Sequence, residues 1–295
     1  MVKTVGIAAP AGRAEKDSAD RAVMAVRKLG FDVIAGESCY SRHLSFSGTD
    51  NIRARDINTM FADKRTDGII CLRGGYGSQR LMPLLDYGMI RANPKFFSGY
   101  SDITALLNTI TERCGFVTYH TPMAFKLDIA DGYTLSYLKR CFHRNKVFGP
   151  LENPPGRPVK TLTPGRAKGR IKGGNLSLIA SSIGTDYEIE TENALLFIEE
   201  VGETPEKIDR MLLHLKNAGL LGKCAGIVFG DFTDCYTGAE FKLEDSLYEI
   251  IKPLNKPAVY NLAFGHCMPT MSFPIGAEAE LDAVNGAIFV GTALR

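Results

Sequence analysis

The first half of the chain contains short, mostly apolar runs, at residues 5–9, 31–36, 68–72, 96–100 and 116–120, each bounded by turn residues. The stretches between them, such as residues 14–29 and 50–63, carry apolar positions at helical spacing. Continuous apolar strands alternating with helices predict a parallel sheet covered on both faces. One helix can be counted directly. Beyond Ser101, the residues Ile103, Leu106, Leu107 and Ile110 fall at i, i+3, i+4 and i+7, a stripe for packing on a sheet. Ser101 is therefore expected where a strand ends and a helix begins.

The pattern breaks between residues 148 and 164, where prolines stand at 150, 154, 155, 158 and 164. Proline fixes φ and removes a backbone donor, so residues 148–165 read as an ordered linker rather than a helix or central strand. Beyond it, residues 170–173, 194–199, 225–229 and 286–290 have strand character. One clear helix lies among them, with Thr204 as N-cap, Pro205 at its first position, an apolar stripe of Ile208, Met211, Leu212 and Leu215, and Gly219 as its stop. The expected organisation is an N-terminal doubly wound α/β domain over residues 1–147 and a smaller β-rich domain over residues 166–295. Arg166, Lys168, Arg170 and Lys172 occupy every second position of an extended segment, which puts four positive charges on one strand face. That face is either solvated or held against an acidic ligand or another domain. No period of 20–50 residues repeats, so neither a solenoid nor a propeller is expected.

Composition narrows the function classes more than the fold. The 295 residues are 45% hydrophobic and 23% charged, the balance of an ordinary globular protein, and the net charge of +2 favours neither nucleic acid nor an anionic membrane surface as partner. No apolar run is long enough for a bilayer span. The N-terminus enters a strand almost at once, without the apolar stretch and cleavage site of a secretory signal. Seven scattered cysteines without a C-x-x-C pair fit reduced thiols in the cytoplasm. Neither H-E-x-x-H nor paired cysteines occur, so a zinc site is not expected.

Three segments could carry chemistry. Gly99-Tyr100-Ser101-Asp102 sets a hydroxyl on a strand-to-helix turn, where helix N-terminal N–H groups can face a developing oxyanion. The strict G-x-S-x-G elbow fails, because Ile103 takes the second glycine position, and Ser101 also reads as a helix cap. Arg73-Gly74-Gly75-Tyr76-Gly77 follows a buried strand and lets backbone N–H groups approach a ligand. Read as a phosphate loop it breaks G-x-G-x-x-G at Arg80, and an ordinary glycine turn is the other reading. His266 lies in an irregular segment between Gly265 and Cys267-Met268-Pro269, whereas His214 on the helix after Thr204 looks structural. Glu199-Glu200 closes an apolar strand. A carboxylate buried there needs a partner, an imidazole is a natural one, and strand alternation lets only one of the two glutamates meet it. Ser101, one of these glutamates and His266 supply a nucleophile, an acid and a base, the inventory of a serine hydrolase. Cys71 or Cys114 as nucleophile makes a weaker, glutaminase-like alternative, since Cys71 lies inside a buried strand and Cys114 follows Arg113 at a helix end without an obvious base.

The segments Cys71-Leu72-Arg73-Gly74-Gly75-Tyr76-Gly77, Gly99-Tyr100-Ser101-Asp102, Gly173-Gly174-Asn175-Leu176, Phe197-Ile198-Glu199-Glu200-Val201-Gly202-Glu203 and Phe264-Gly265-His266 occur in an order that resembles the LD-carboxypeptidases. These serine peptidases include muramoyltetrapeptide carboxypeptidase and the microcin C self-immunity proteins, and the resemblance spans essentially the whole chain. It implies a triad of Ser101, His266 and Glu199, with an oxyanion hole from the backbone N–H groups of Gly75 and Asp102. It also implies a site in the cleft between an α/β and a β-rich domain, no metal or organic cofactor, and commonly a homodimer. Arg73, Gly74, Tyr76 and Asn175 are the substrate-binding candidates. The implied reaction is removal of the terminal D-Ala from murein tetrapeptides in cytoplasmic peptidoglycan recycling. The alternatives are an immunity peptidase that cleaves a peptidyl-nucleotide, and a catalytically silent muropeptide-binding protein. The immunity reading calls for an aromatic such as Trp to stack on a nucleobase, and the chain contains no Trp.

Overall fold

Strands that are apolar on both faces need cover on both faces, and the first half of the chain supplies it with helices between successive strands. The computed structural model describes residues 2–143, 146–235 and 242–292. Its contacts divide the chain into two units, the first holding the described residues up to 143 with Ser272–Pro274, the second most of the remainder.

In the first unit, β1 (Thr4–Ala8), β2 (Asp32–Ala35), β3 (Gly68–Cys71), β4 (Phe96–Gly99) and β5 (Thr118–His120) form a sheet of order β2-β1-β3-β4-β5, all parallel. The chain leaves β1 toward one side and returns at β3 on the other. This is a switch point of the doubly wound kind, whose crevice beyond the strand C-termini is the usual ligand position. Loops after β1 and β3 meet there, where Gly12 N donates to Gly74 O at 3.1 Å. The helix Thr104–Cys114 carries the expected stripe but is buried on nearly every side, Thr104 through Thr111 included. It stops at Gly115, whose φ of 75° a left-handed C-cap requires.

One strand of this sheet comes from far along the chain. β12 (Phe273–Ile275) lies beside β5 at the sheet edge. Phe273 stacks on His120 with ring centroids 4.8 Å apart and planes within 5°.

The second unit is built on a mixed sheet of β6 (Val147–Pro150), β7 (Lys160–Thr163), β8 (Arg166–Asn175), β9 (Leu195–Val201), β10 (Gly226–Thr233), β11 (Ala258–Tyr260), β13 (Glu278–Asp282) and β14 (Ala287–Thr292). The order is β6-β14-β13-β8-β9-β10-β11-β7, with β8 to β11 parallel in the centre and antiparallel strands outside. Helices Leu176–Ser182, Pro205–Asn217 and Leu243–Ile251 cover it through Leu176, Ile179, Ile208, Leu212, Leu215 and Leu247. Of these, the sequence pattern predicts only the middle helix. It begins after Thr204 with Pro205, and Gly219 beyond its end takes a φ of 86°.

The stretch expected as a linker contributes β6 and β7, the two outer edges of this sheet. Edges are where a sheet tolerates proline, because the missing N–H has no partner strand to bond. The alternating basic residues resolve into a ladder. Arg166, Lys168 and Arg170 on β8 stand opposite Asp282, Glu280 and Glu278 on β13, with N–O distances of 3.1, 3.1 and 3.2 Å. Five of these six side chains are at least half exposed and Asp282 is a quarter exposed, so the face carries paired, mostly solvated charge, while Lys172 further along is buried. No helix among the described residues is long and apolar enough to cross a membrane.

Candidate active site

β4 ends at Gly99, and a single 3-10 turn, Ser101–Ile103, leads into the helix Thr104–Cys114. Ser101 sits in this turn at φ 62°, in the left-handed region. For a residue with a Cβ that conformation costs on the order of 1–3 kcal/mol, and the surrounding structure must hold it. Here the holding is dense. Tyr100 is buried before it, Asp102 and Ile103 after it. Gly74 passes so close that a Cβ there would stand 3.2 Å from Ser101 Oγ and 3.4 Å from Asp102 N. Any larger residue at position 74 would press on the serine hydroxyl.

The glycine loop after β3 is fastened on both sides. Asp102 Oδ2 accepts from Ser78 N at 2.8 Å, and Ser78 Oγ donates to the Asp102 carbonyl at 2.6 Å. Burial raises the Asp102 carboxyl above the ordinary aspartate range, against the lowering effect of its bonds to Ser78 and Gly77 and of the Arg53 charge. Arg53 is itself fully buried. Its guanidinium donates to Pro10 O at 2.5 Å and Gly77 O at 3.0 Å and pairs with Asp50. Between these fastenings Gly75 and Tyr76 face outward, Tyr76 with 62% of its surface exposed. Arg73, half-buried at the start of the loop, donates to Arg13 O at 2.8 Å, and its buried Nε has no hydrogen-bond partner among the described residues.

In the second unit, β9 delivers Glu199 and Glu200 to opposite sides, both buried. Glu199 Oε2 lies 2.7 Å from His266 Nδ1. Burial raises the Glu199 carboxyl, and the hydrogen bond and charge of His266 oppose the rise. A carboxylate on Nδ1 fixes the tautomer in which Nε2 is the basic nitrogen. Gly265 makes the contact possible: its φ is 110°, and a Cβ there would lie 2.5 Å from Glu199 Oε2. Glu200 has other partners. It accepts from Asn175 Nδ2 at 2.8 Å, from Ser177 N at 2.8 Å and from Ser177 Oγ at 2.6 Å.

Family models for the LD-carboxypeptidase N-terminal domain and the LD-carboxypeptidase C-terminal domain match residues 5–121 and 168–281. The probable murein peptide carboxypeptidase of Bacillus subtilis is 38% identical over 285 residues, 95% of this chain and 88% of that protein. The chain belongs to the LD-carboxypeptidase family. Among solved structures, muramoyltetrapeptide carboxypeptidase from Oxalobacter formigenes matches this LD-carboxypeptidase with a TM-score of 0.86 at 26% identity, covering 99% of both chains. An MccF-like protein from Bacillus anthracis matches with a TM-score of 0.88 at 29% identity, covering 99% of this chain and 97% of that one. The protein is accordingly a serine-type carboxypeptidase, a hydrolase.

The remaining candidates in this LD-carboxypeptidase occupy diverse settings. Asn175 is buried and caps the helix Leu176–Ser182 through Leu178 N while donating to Glu200, so its amide serves the second unit's framework. Burial pushes the Cys71 thiol up and the Cys114 thiol up to about 11, which leaves neither as a thiolate near neutral pH. Sequence reasoning missed Arg53 and Ser78, which fasten the glycine loop, and Asn153 and Arg157, which both donate to Asn261 O in the segment leading to His266. A helical arginine ordinarily reads as solvated and a proline-flanked arginine as a loop residue, so nothing local marked them.

Proposed function

We propose that this LD-carboxypeptidase removes the terminal D-Ala from murein tetrapeptides, as a cytoplasmic homodimer serving peptidoglycan recycling. Ser101 Oγ attacks the carbonyl carbon of the third residue and passes its proton to His266 Nε2. Glu199 holds the Nδ1–H and stabilises the imidazolium. The backbone N–H groups of Gly75 and Asp102 bind the oxyanion. As the C–N bond breaks, His266 returns the proton to the D-Ala amine. Water, deprotonated by the same imidazole, then hydrolyses the seryl ester. Arg73 takes the free carboxylate of the departing D-residue, with Gly74 and Tyr76 lining its path.

The buried Glu199–His266 contact of 2.7 Å carries the reading, because a carboxylate desolvated to this degree needs a partner and the partner it has is an imidazole, the base that a serine nucleophile requires. Likeness to the probable murein peptide carboxypeptidase supports the substrate class. Likeness to the MccF-like structure supports a second reading, cleavage of a peptidyl-nucleotide. Absence of Trp from the chain weighs against that one.

The test is mass spectrometry of wild type and Ser101→Ala with murein tetrapeptide and, separately, a peptidyl-nucleotide, each with and without EDTA. EDTA-insensitive D-Ala release by wild type alone is the expected result. Turnover of the peptidyl-nucleotide alone replaces the first reading with the second, and tetrapeptide binding without turnover of either substrate replaces both with a binding protein.

A further inference from the structure

We propose that the Asp102 side chain is a positioning residue that holds the two oxyanion donors at a fixed separation, with Arg53 as its brace. The inference rests on the reading of Gly75 N–H and Asp102 N–H as those donors. They belong to two different loops, and a hole works only when both N–H groups keep their places as charge develops. A glycine-rich loop does not keep its place unaided, because glycine admits the widest range of backbone conformations.

Asp102 joins the two halves directly. Its own N–H is one donor, while its carboxylate accepts from Ser78 N at 2.8 Å and its carbonyl accepts from Ser78 Oγ at 2.6 Å. Arg53 secures the preceding position by donating to Gly77 O at 3.0 Å, and ties the same point to Pro10 O at 2.5 Å. Gly12 N holds the other end of the loop at Gly74 O. Only Gly75 and Tyr76 are left facing outward.

An acidic residue in the first turn of a helix ordinarily complements the dipole from the surface. Asp102 does not, being 2% exposed with its carboxylate turned to the glycine loop. A buried carboxylate of that kind is retained only where its hydrogen bonds offset the loss of water. Replacing it with a methyl group would leave the Ser78 N–H without its acceptor and release the loop from the serine turn.

The experiment compares Asp102→Ala, Asp102→Asn and Ser78→Ala with wild type in two assays. One is steady-state D-Ala release from murein tetrapeptide. The other is the second-order rate of Ser101 modification by an alkyl fluorophosphonate, whose phosphoryl oxygen draws on the same hole without requiring a peptide. For Asp102→Ala the expected result is a kcat lowered roughly 100-fold with KM within about threefold, and a parallel loss of labelling rate. Asp102→Asn keeps one acceptor oxygen and should recover roughly tenfold of each loss; Ser78→Ala should lose only a few-fold.

Variants that melt earlier yet keep wild-type kcat and labelling below the melt would show a structural role alone and overturn the proposal. So would a wild-type Ser101 that the reagent does not modify. If wild type is labelled but releases no D-Ala, the murein reading falls, and the labelling rates still decide the role of Asp102. Should Asp102→Ala fail to fold, the other two variants carry the same comparison.

Discussion

Glu199 and Glu200 are neighbours in sequence, both buried, and their partners assign them opposite tasks. Glu199 holds Nδ1 of a base that must change its charge during the proposed reaction, whereas Glu200 gathers Asn175 Nδ2, Ser177 N and Ser177 Oγ. Burial already raises the Glu199 carboxyl, so a neutral amide is tolerated there. Glu199→Gln is therefore expected to fold with little change in urea midpoint but to lose roughly 1000-fold or more in kcat, since the amide cannot stabilise the imidazolium. Glu200→Gln keeps one acceptor for several donors. It should lose roughly 1–3 kcal/mol of stability and retain kcat within a few-fold. Urea titration beside D-Ala release separates them, and equal kcat losses in both would refute the division. Strand parity made it legible in the sequence that one glutamate alone could meet His266. Which one depends on the direction of β9 and on the approach permitted by Gly265, and neither is a local property.

The segment after β11 carries His266 and has little regular structure of its own, so its position has to come from what grips it. The strap between β6 and β7 does so. Asn153 Nδ2 and Arg157 Nε both donate to Asn261 O, at 2.8 and 3.1 Å, and Ala263 N donates to Asn153 Oδ1 at 2.7 Å. Arg157 also pairs with Asp231 at 2.7 Å, and Asn261 Nδ2 closes the clamp on Pro158 O at 2.8 Å. Arg157→Met keeps the length of the side chain and removes these bonds. It is expected to lower kcat roughly tenfold with a stability loss of roughly 1–3 kcal/mol, and Arg157→Lys to restore part of both. Unchanged kcat in a folded Arg157→Met protein would mean that the strap only stabilises. The strands β1, β3, β4, β9 and β10 were legible because each contains a mostly apolar run beside turn residues. The strap was legible only as a break in pattern. Proline reports a fixed φ and a missing donor, and says nothing of the distant backbone that such a segment will hold.

At the scale of the whole chain, the doubly wound topology of the first unit followed from the alternation of apolar runs and helical stripes, but its last strand did not. β12 is three residues long, Phe-Pro-Ile, and a proline inside so short a run argues against a strand except at a sheet edge. It is at the edge, and it makes the first unit discontinuous in sequence. Without it, β5 would present unpaired N–H and C=O groups, and the ring of His120, 1% exposed, would lose the Phe273 ring stacked on it at 4.8 Å. An uncovered edge of this kind is a template for aggregation. A fragment of residues 2–143 is therefore expected to precipitate or to melt well below the same fragment carrying residues 272–275 on a short Gly-Ser linker. Loss of a buried Phe alone costs roughly 3–5 kcal/mol, so the difference should be plain in thermal melts followed by circular dichroism. Equal melting temperatures for the two fragments would show that β5 is stable as an open edge and that the return of the chain to the first sheet serves some purpose other than covering it.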